Sequence, residues 1–302
     1  VDACMTATRR DAGEARALAG GRASAEGCGP GPGGEFRAEP DAEGAASMRE
    51  VEALLVREDG CVRRTEVVAV EMRVDLAVDG VPWTAAACSP GDLEDYAYGA
   101  AFAAGLVEEA GDVAGVDVRF AGGTAAIDVR LRAPRTALPQ AGGPALPGCL
   151  LDAGAAARTA AGAARACAPL EPAAVWRMSR ALLPAQGMHL ATGATHAAVF
   201  ADRSGAPVLM REDVGRHNAV DKLVGALLRA GIDPQDGFAY LSSRCALELV
   251  AKLARAGVRI VATVSAPTSA VLDFAEREGI ALAAFARDGR FTVYAHPELI
   301  AL

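Results

Sequence analysis

From residue 171 onward, short apolar runs alternate with helical stretches that stop at glycine. This rhythm restricts the chain to a layered α/β fold more than any other feature does. Ala197–Phe200 and Pro207–Arg211 read as strands, and His217–Arg229 as a helix stopped by Gly231. Phe238–Leu241 reads as a strand, Leu247–Ala256 as a helix stopped by Gly257, and Arg259–Val264 as a strand. Ser269–Glu278 is a helix stopped by Gly279, and Ile280–Phe285 a further strand. Repeated β-α-β units require helices packed on a sheet.

The segment 48–132 has a different texture, that of a smaller β-rich subdomain with one helix. Val67–Val70 and Val74–Val78 are strand-like and lead to Asp79-Gly80, a hairpin turn. Ser89-Pro90-Gly91-Asp92 looks like a helix start, with the helix running from Leu93 to Val107. Val116–Phe120 and Ala125–Leu131 flank Gly122-Gly123-Thr124 as a second hairpin. The expected organisation is therefore an extension over 1–47, the β-rich subdomain over 48–132, a long loop over 133–170 and the α/β domain over 171–302. Residues 1–47 hold too few bulky apolar side chains to offset their ordering entropy, so disorder is expected there. Met48 opens the first patterned segment, which suggests a start site placed too early. Ala, Gly and Pro crowd the 133–170 stretch, a mobile loop with an Ala-rich helix expected near 153–166.

Composition excludes several functions. The 302 residues carry a net charge of −8, which disfavours general nucleic-acid binding. Aromatics are only 5%, too few for a stacking platform. No uncharged apolar run reaches the ~20 residues of a membrane helix, and no secretory signal opens the chain. A cytoplasmic protein that binds neither membrane nor nucleic acid is the expectation. The 7 cysteines are odd in number and scattered, and no Cys-x-x-Cys occurs. Neither a disulfide framework nor a zinc ribbon follows.

The densest polar cluster, Arg211-Glu212-Asp213-Val214-Gly215-Arg216-His217-Asn218-Ala219-Val220-Asp221-Lys222, falls at a strand-to-helix junction. Gly215 permits a tight turn there. Arg216, His217 and Asn218 would lie at the helix N-terminus, where free backbone N–H groups favour anions. The cluster reads either as an anion contact or as a solvated loop and cap, with Asp213 and Asp221 tying it down by ion pairs.

From Glu212 to Lys222 this string resembles the signature of the FdhD family, the formate dehydrogenase accessory sulfurtransferases. Thr192-Gly193-Ala194-Thr195-His196-Ala197-Ala198 resembles the family's Thr-Gly-Gly-x-His-x-Ala. Ser242-Ser243-Arg244-Cys245-Ala246-Leu247-Glu248-Leu249-Val250 is similar to its Ser-Gly-Arg-x-Ser-x-Glu-Met-Val. Ser265-Ala266-Pro267-Thr268 matches its Ser-Ala-Pro-Thr, and Phe285-Ala286-Arg287-Asp288-Gly289-Arg290 resembles its closing segment. Upstream, Ser89-Pro90-Gly91-Asp92-Leu93-Glu94-Asp95 resembles Thr-Pro-x-Asp-x-x-Asp. The likeness runs from about residue 65 to about 300. Ala194 and Ser243 each replace a family glycine, which would narrow backbone approach to a ligand.

The resemblance implies a cytidine-deaminase-like core without zinc, a homodimer, and sulfur transfer. A cysteine desulfurase supplies persulfide sulfur, and a loop cysteine carries it. The acceptor is the molybdenum bis-molybdopterin guanine dinucleotide cofactor of formate dehydrogenase. Cys149, in Pro147-Gly148-Cys149-Leu150-Leu151-Asp152, takes the place of the first cysteine of the family's Cys-Gly-x-Cys-Gly. Asp152 stands where the second belongs and would raise the thiol's pKa. Leu150 replaces the first glycine. Cys167 is the other loop cysteine. The alternative function is a cofactor-binding chaperone without sulfur transfer.

With this resemblance, cofactor contact is expected from Phe285, Ala286, Arg287, Asp288, Gly289 and Arg290, where Arg287 and Arg290 fall just after a strand end, a place where open α/β sheets bind ligands. His196, His217 and Arg244 complete the set of candidates, as groups that hydrogen-bond a cofactor or contact a phosphate. Each also has a plain structural reading, as a hydrogen-bonded histidine, an ion-pair partner or, for the 285–290 segment, a polar β-turn. His296-Pro297-Glu298 matches a deaminase H-x-E by letter only, since no Pro-Cys-x-x-Cys follows.

Overall fold

A computed structural model describes residues 46–133, 135, 138 and 168–302. The disorder expected for 1–47, the helix near 153–166, Cys149 and Cys167 fall outside the described residues, apart from Ala46 and Ser47. Among the described residues the chain forms three sheets and six α-helices.

β1 (Met48–Arg57) and β2 (Gly60–Ala69) form an antiparallel ribbon. β3 (Met72–Val78), β4 (Val81–Cys88), β5 (Val113–Ala121) and β6 (Thr124–Leu131) make a four-stranded sheet in the order β4-β3-β6-β5. α1 (Leu93–Ala103) lies between β4 and β5 in the chain. The remaining elements are α2 (Pro172–Ala185), α3 (Gly187–Thr192), β7 (His196–Asp202), β8 (Pro207–Asp213) and α4 (Arg216–Ala230). They are followed by β9 (Gly237–Leu241), α5 (Leu247–Arg255), β10 (Ile260–Thr263), α6 (Ser269–Glu278), β11 (Ala281–Arg287) and β12 (Arg290–Ala295). Their strands form a six-stranded sheet ordered β12-β11-β10-β9-β7-β8. Within it β9, β10 and β11 run parallel, and β7 runs antiparallel to β9.

Strand alternation divides the core into two layers, since successive side chains point to opposite faces. Ala198, Phe200, Ala239, Leu241, Val261 and Leu282 face one way. They pack with Leu223 and Val224 of α4, Leu249 and Leu253 of α5, and Val271 and Phe274 of α6. The same apolar cluster takes in Val74 and Leu76 of β3, Ile127 and Val129 of β6, and Tyr96 and Phe102 of α1. Ala197, Val199, Phe238, Tyr240, Ile260 and Ala283 face the other way, onto Ala174, Val175, Met178 and Leu182 of α2. The sheet is thus sandwiched between α2 on one side and α4, α5 and α6 on the other.

The helix expected to reach Val107 ends at Ala103. Gly105 takes φ 73°, and the bonds Gly105 N to Phe102 O and Leu106 N to Ala101 O, both 2.9 Å, close a Schellman cap. Asp79-Gly80 is the expected hairpin turn, joining β3 to β4. Asp288-Gly289 forms a second of the same kind, with both residues of each turn at positive φ. Arg287 therefore ends β11 and Arg290 begins β12, so the segment placed beyond a strand end is the tip of a hairpin. β1, β4, α2, α3 and β12 have no counterpart in the sequence reading. β4 is weakened as a signal by its run Ala85-Ala86-Ala87. α2 has Pro184 inside it and no side-chain cap at its start.

Candidate functional site at one edge of the sheet

The motif strings, scattered over more than a hundred residues, come together at the edge formed by the C-terminal ends of β9, β10 and β11. β7 enters this edge at His196, paired with Asp213 where β8 leaves it. Hydrogen bonds stitch the loops side by side. Ala197 N donates to Ser242 Oγ at 2.7 Å, and Ser242 N donates to Ala197 O at 3.0 Å. Thr263 Oγ1 donates to Ser243 O at 2.6 Å, and Cys245 N to Ala266 O at 3.2 Å. Phe285 N donates to Ser265 O, also at 3.2 Å. Four separate strings thus become one continuous ledge.

The string Glu212–Lys222 divides its labour. Asp213 and Lys222 are fully buried, and Lys222 Nζ lies 2.7 Å from Asp213 Oδ2 and 3.1 Å from Ser89 O. Asp213 also accepts from Ser89 N at 2.9 Å, Gly215 N at 2.7 Å and Asn218 Nδ2 at 2.9 Å. Asn218 Nδ2 lies 2.6 Å from Ala87 O as well. These residues clasp the β4–α1 loop to the start of α4, so their chemistry is structural. Asp221 is tied by Lys252 Nζ at 2.6 Å, as the ion-pair alternative for both aspartates anticipated. Glu212 caps α3 by accepting from Met188 N and His189 N, each at 3.0 Å, and from Thr195 Oγ1 at 2.9 Å.

Gly215 has an ordinary φ of −101°, so the expected turn geometry is not its reason. A Cβ there would sit 2.6 Å from Asn218 Nδ2, and the clasp would open.

What remains faces outward. Arg216 and His217 open α4, and His217 Nε2 lies 3.1 Å from Glu248 Oε1 on α5. Glu248 thus joins this edge, although nothing in the sequence string alone assigns it a role. Its signal was its place in the same string as Arg244. Arg216 Nε is buried and has no hydrogen-bond partner among the described residues. Arg244 projects from the loop after β9 and is exposed. Arg287, Asp288, Gly289 and Arg290 are exposed at the hairpin tip, Phe285 is half-buried, and Ala286 is buried. The edge therefore offers guanidinium groups and histidines to an anionic ligand. A cavity of about 560 Å³ lies elsewhere, on the four-stranded sheet beside Trp83 and Asp128, and takes none of these residues.

Burial, the Arg216 cation and His189 push the His196 pKa below its usual 6.5. His296, at the far end of β12, is raised above 6.5 by the Glu276 carbonyl and by Glu298, its hydrogen-bonding neighbours. The signs are opposite. The contribution of neutral His196 to stability is complete above about 6.5 and is lost as pH falls through its lower folded value. That of protonated His296 is complete below about 6.5 and is lost as pH rises through its higher folded value. NMR titration, assigned with His196→Gln and His296→Gln, should place the His196 midpoint below that of His296. The reverse order would contradict these environments.

Two of the described thiols are unsuited to carrying sulfur. Burial pushes Cys245 up to about 12. Cys88, buried and near Asp213, is likewise pushed up to about 12. Neither forms a thiolate at neutral pH.

Fold and edge together define an open-sheet α/β protein with a loop-built ledge where such sheets hold ligands. The profile of the FdhD/NarQ family matches residues 69–301, and the chain belongs to that family. It is 40% identical over 253 residues to the sulfur carrier protein FdhD of Bordetella petrii, covering 80% of this chain and 90% of that one. The protein of the same name from Xanthomonas euvesicatoria is 36% identical over 243 residues, covering 78% of this chain and 86% of its own. The crystal structure of a putative formate dehydrogenase accessory protein from Desulfotalea psychrophila shares the fold. It has a TM-score of 0.69 at 24% identity, over 85% of this chain and 100% of that one.

Proposed function

We propose that this chain is a cytoplasmic sulfur carrier serving formate dehydrogenase. Cys149 accepts sulfur from a cysteine desulfurase, and the sheet edge holds the bis-molybdopterin guanine dinucleotide cofactor that receives it. The observation that carries this reading is the stitched ledge, which gathers the cationic and imidazole side chains of the family strings in one place. Arg287 and Arg290 at the hairpin tip, with Arg244, are suited to the cofactor's phosphates, and Phe285 to its guanine. His196, neutral at pH 7, is suited to hydrogen bonding rather than charge pairing. His217 is held by Glu248. In the loading step the Cys149 thiolate attacks the terminal sulfur of the desulfurase persulfide. A new S–S bond forms at Cys149 Sγ, and the old one breaks with its electron pair leaving on the desulfurase cysteine. The same proposal includes a homodimer, a division at 48–132 and 171–302, and a core like that of cytidine deaminases with no zinc.

Asp152 in place of a second loop cysteine favours a second reading, a cofactor-binding chaperone that transfers no sulfur. Intact-mass measurement after incubation with a cysteine desulfurase and cysteine separates the two. The carrier gains one sulfur atom, and Cys149→Ala abolishes the gain while Cys167→Ala does not. No gain in the parent protein leaves the chaperone, and a gain that survives Cys149→Ala moves the sulfur to another cysteine.

A further inference from the structure

The tip of the β11–β12 hairpin is held out of its ladder by groups from two other elements. Pairing passes from Ala284–Thr292 directly to Arg287–Arg290. Phe285 and Ala286 thus oppose the single residue Phe291, a β-bulge. Phe285 takes φ 53°, a left-handed conformation that favours glycine and disfavours a bulky side chain. Such a conformation persists only where the surroundings impose it.

The surroundings bond this segment at two main-chain atoms, Ala286 O and Phe285 N. Ala286 O accepts from the Tyr240 hydroxyl of β9 and from Ser179 Oγ of α2, the latter at 3.2 Å. Tyr240 is fully buried, and its burial raises the phenol pKa, so the hydroxyl keeps its proton and donates. Phe285 N is fixed in turn by Ser265 O. Neither Tyr240 nor Ser179 belongs to a motif string or reaches the exposed ledge.

We propose that Tyr240 and Ser179 are positioning residues, whose shared hydrogen bonds to Ala286 O hold the Phe285 bulge and so aim Phe285, Arg287 and Arg290 at the ligand. This rests on the reading of the hairpin as a cofactor contact. Bulges beside binding sites commonly re-aim side chains in this way. Here the aiming device is built from the sheet interior and from α2, the helix packed on the face that carries the Tyr240 side chain.

The test uses the full chain, with guanosine diphosphate as probe, titrated calorimetrically against the parent protein, Tyr240→Phe and Ser179→Ala. Amide hydrogen exchange is followed in the same proteins. Tyr240→Phe removes only an oxygen, and Ser179→Ala removes the other donor to Ala286 O, which also contacts the Tyr240 hydroxyl. Each should weaken nucleotide binding about five- to tenfold, the scale of one lost hydrogen bond. Each should also speed exchange at 285–290 while β9 and β10 keep their protection. A purely structural role would loosen β9 and β10 together with the hairpin and so overturns the proposal. Nucleotide binding unchanged in both variants overturns it as well. A parent protein that does not bind the nucleotide overturns the cofactor reading of the hairpin, and the positioning role falls with it.

Discussion

Replacing Gly225 by alanine should destabilise the protein by about 3 kcal/mol, at the upper end of what overpacking costs, although alanine is the better helix former. Gly225 lies in α4, where α1 crosses it. A Cβ at this position would stand 1.9 Å from Asp95 O and 2.9 Å from Gly99 N, both backbone atoms of α1. From the other side, a Cβ on Gly99 would stand 1.8 Å from Asp221 O. The two helices therefore touch backbone to backbone through paired glycines, and no side-chain rotation relieves an added methyl. Helix propensity alone would favour alanine by about 1 kcal/mol, so the substitution sets propensity against packing. The crossing is further tied by Arg229, whose Nη1 lies 2.5 Å from Asp95 Oδ1 and Nη2 2.7 Å from Glu94 Oε2. Denaturant unfolding of Gly225→Ala measures the outcome. A stability equal to or above the parent's would show that the helices separate at little cost.

Lys222→Met should be of similar or greater consequence. Its Nζ is fully buried against Asp213 and Ser89 O. Methionine fills the space but leaves the Asp213 carboxylate without its cation. Breaking a buried pair in this way costs about 3–5 kcal/mol, because the remaining charge stays desolvated. For a domain of this size that is a fall in Tm of roughly 10 °C. The double variant Lys222→Met, Asp213→Asn should recover part of the loss, since the amide is neutral and its oxygen still accepts from Gly215 N and Asn218 Nδ2, at the cost of the bond from Ser89 N. A double variant less stable than Lys222→Met alone would show that the three backbone and side-chain donors to Asp213, rather than Lys222, carry the clasp.

The sequence made the larger sheet legible because its strands are runs of Val, Leu, Ile and Ala bounded by glycine, and its helices end at Gly231, Gly257 and Gly279, each at positive φ. α2 was hidden by Pro184 and by the absence of a capping side chain, both of which argue against a helix that tertiary packing nevertheless stabilises through Val175, Met178 and Leu182. β12 was hidden because Arg287-Asp288-Gly289-Arg290 reads equally as a ligand contact beyond a strand end and as a polar β-turn. Only the pairing of Leu282–Ala284 with Thr292–Ala295 decides between them.

For the site, strings could be recognised but not their division of labour. Asp213, Asn218 and Lys222 sit in the same run as Arg216 and His217, yet one group points into the protein and the other out. Helical spacing accounts for this only once the position of Ser89 is known. Tyr240 gave no sign at all, since a tyrosine in a buried strand is ordinary until its hydroxyl is seen to meet Ala286.

The stitches between the motif loops run almost wholly through main-chain atoms and the small hydroxyls of Ser242 and Thr263. The ledge and what it displays are therefore separable. Substitution at Arg244, Arg287 or Arg290 changes the exposed face and leaves the frame standing. Ser243, buried at 5% exposure with its carbonyl taken by Thr263, belongs to the frame. The exposed side chains of this edge can thus vary without cost to the fold, while replacements among the stitching residues are constrained by the stability of the sheet.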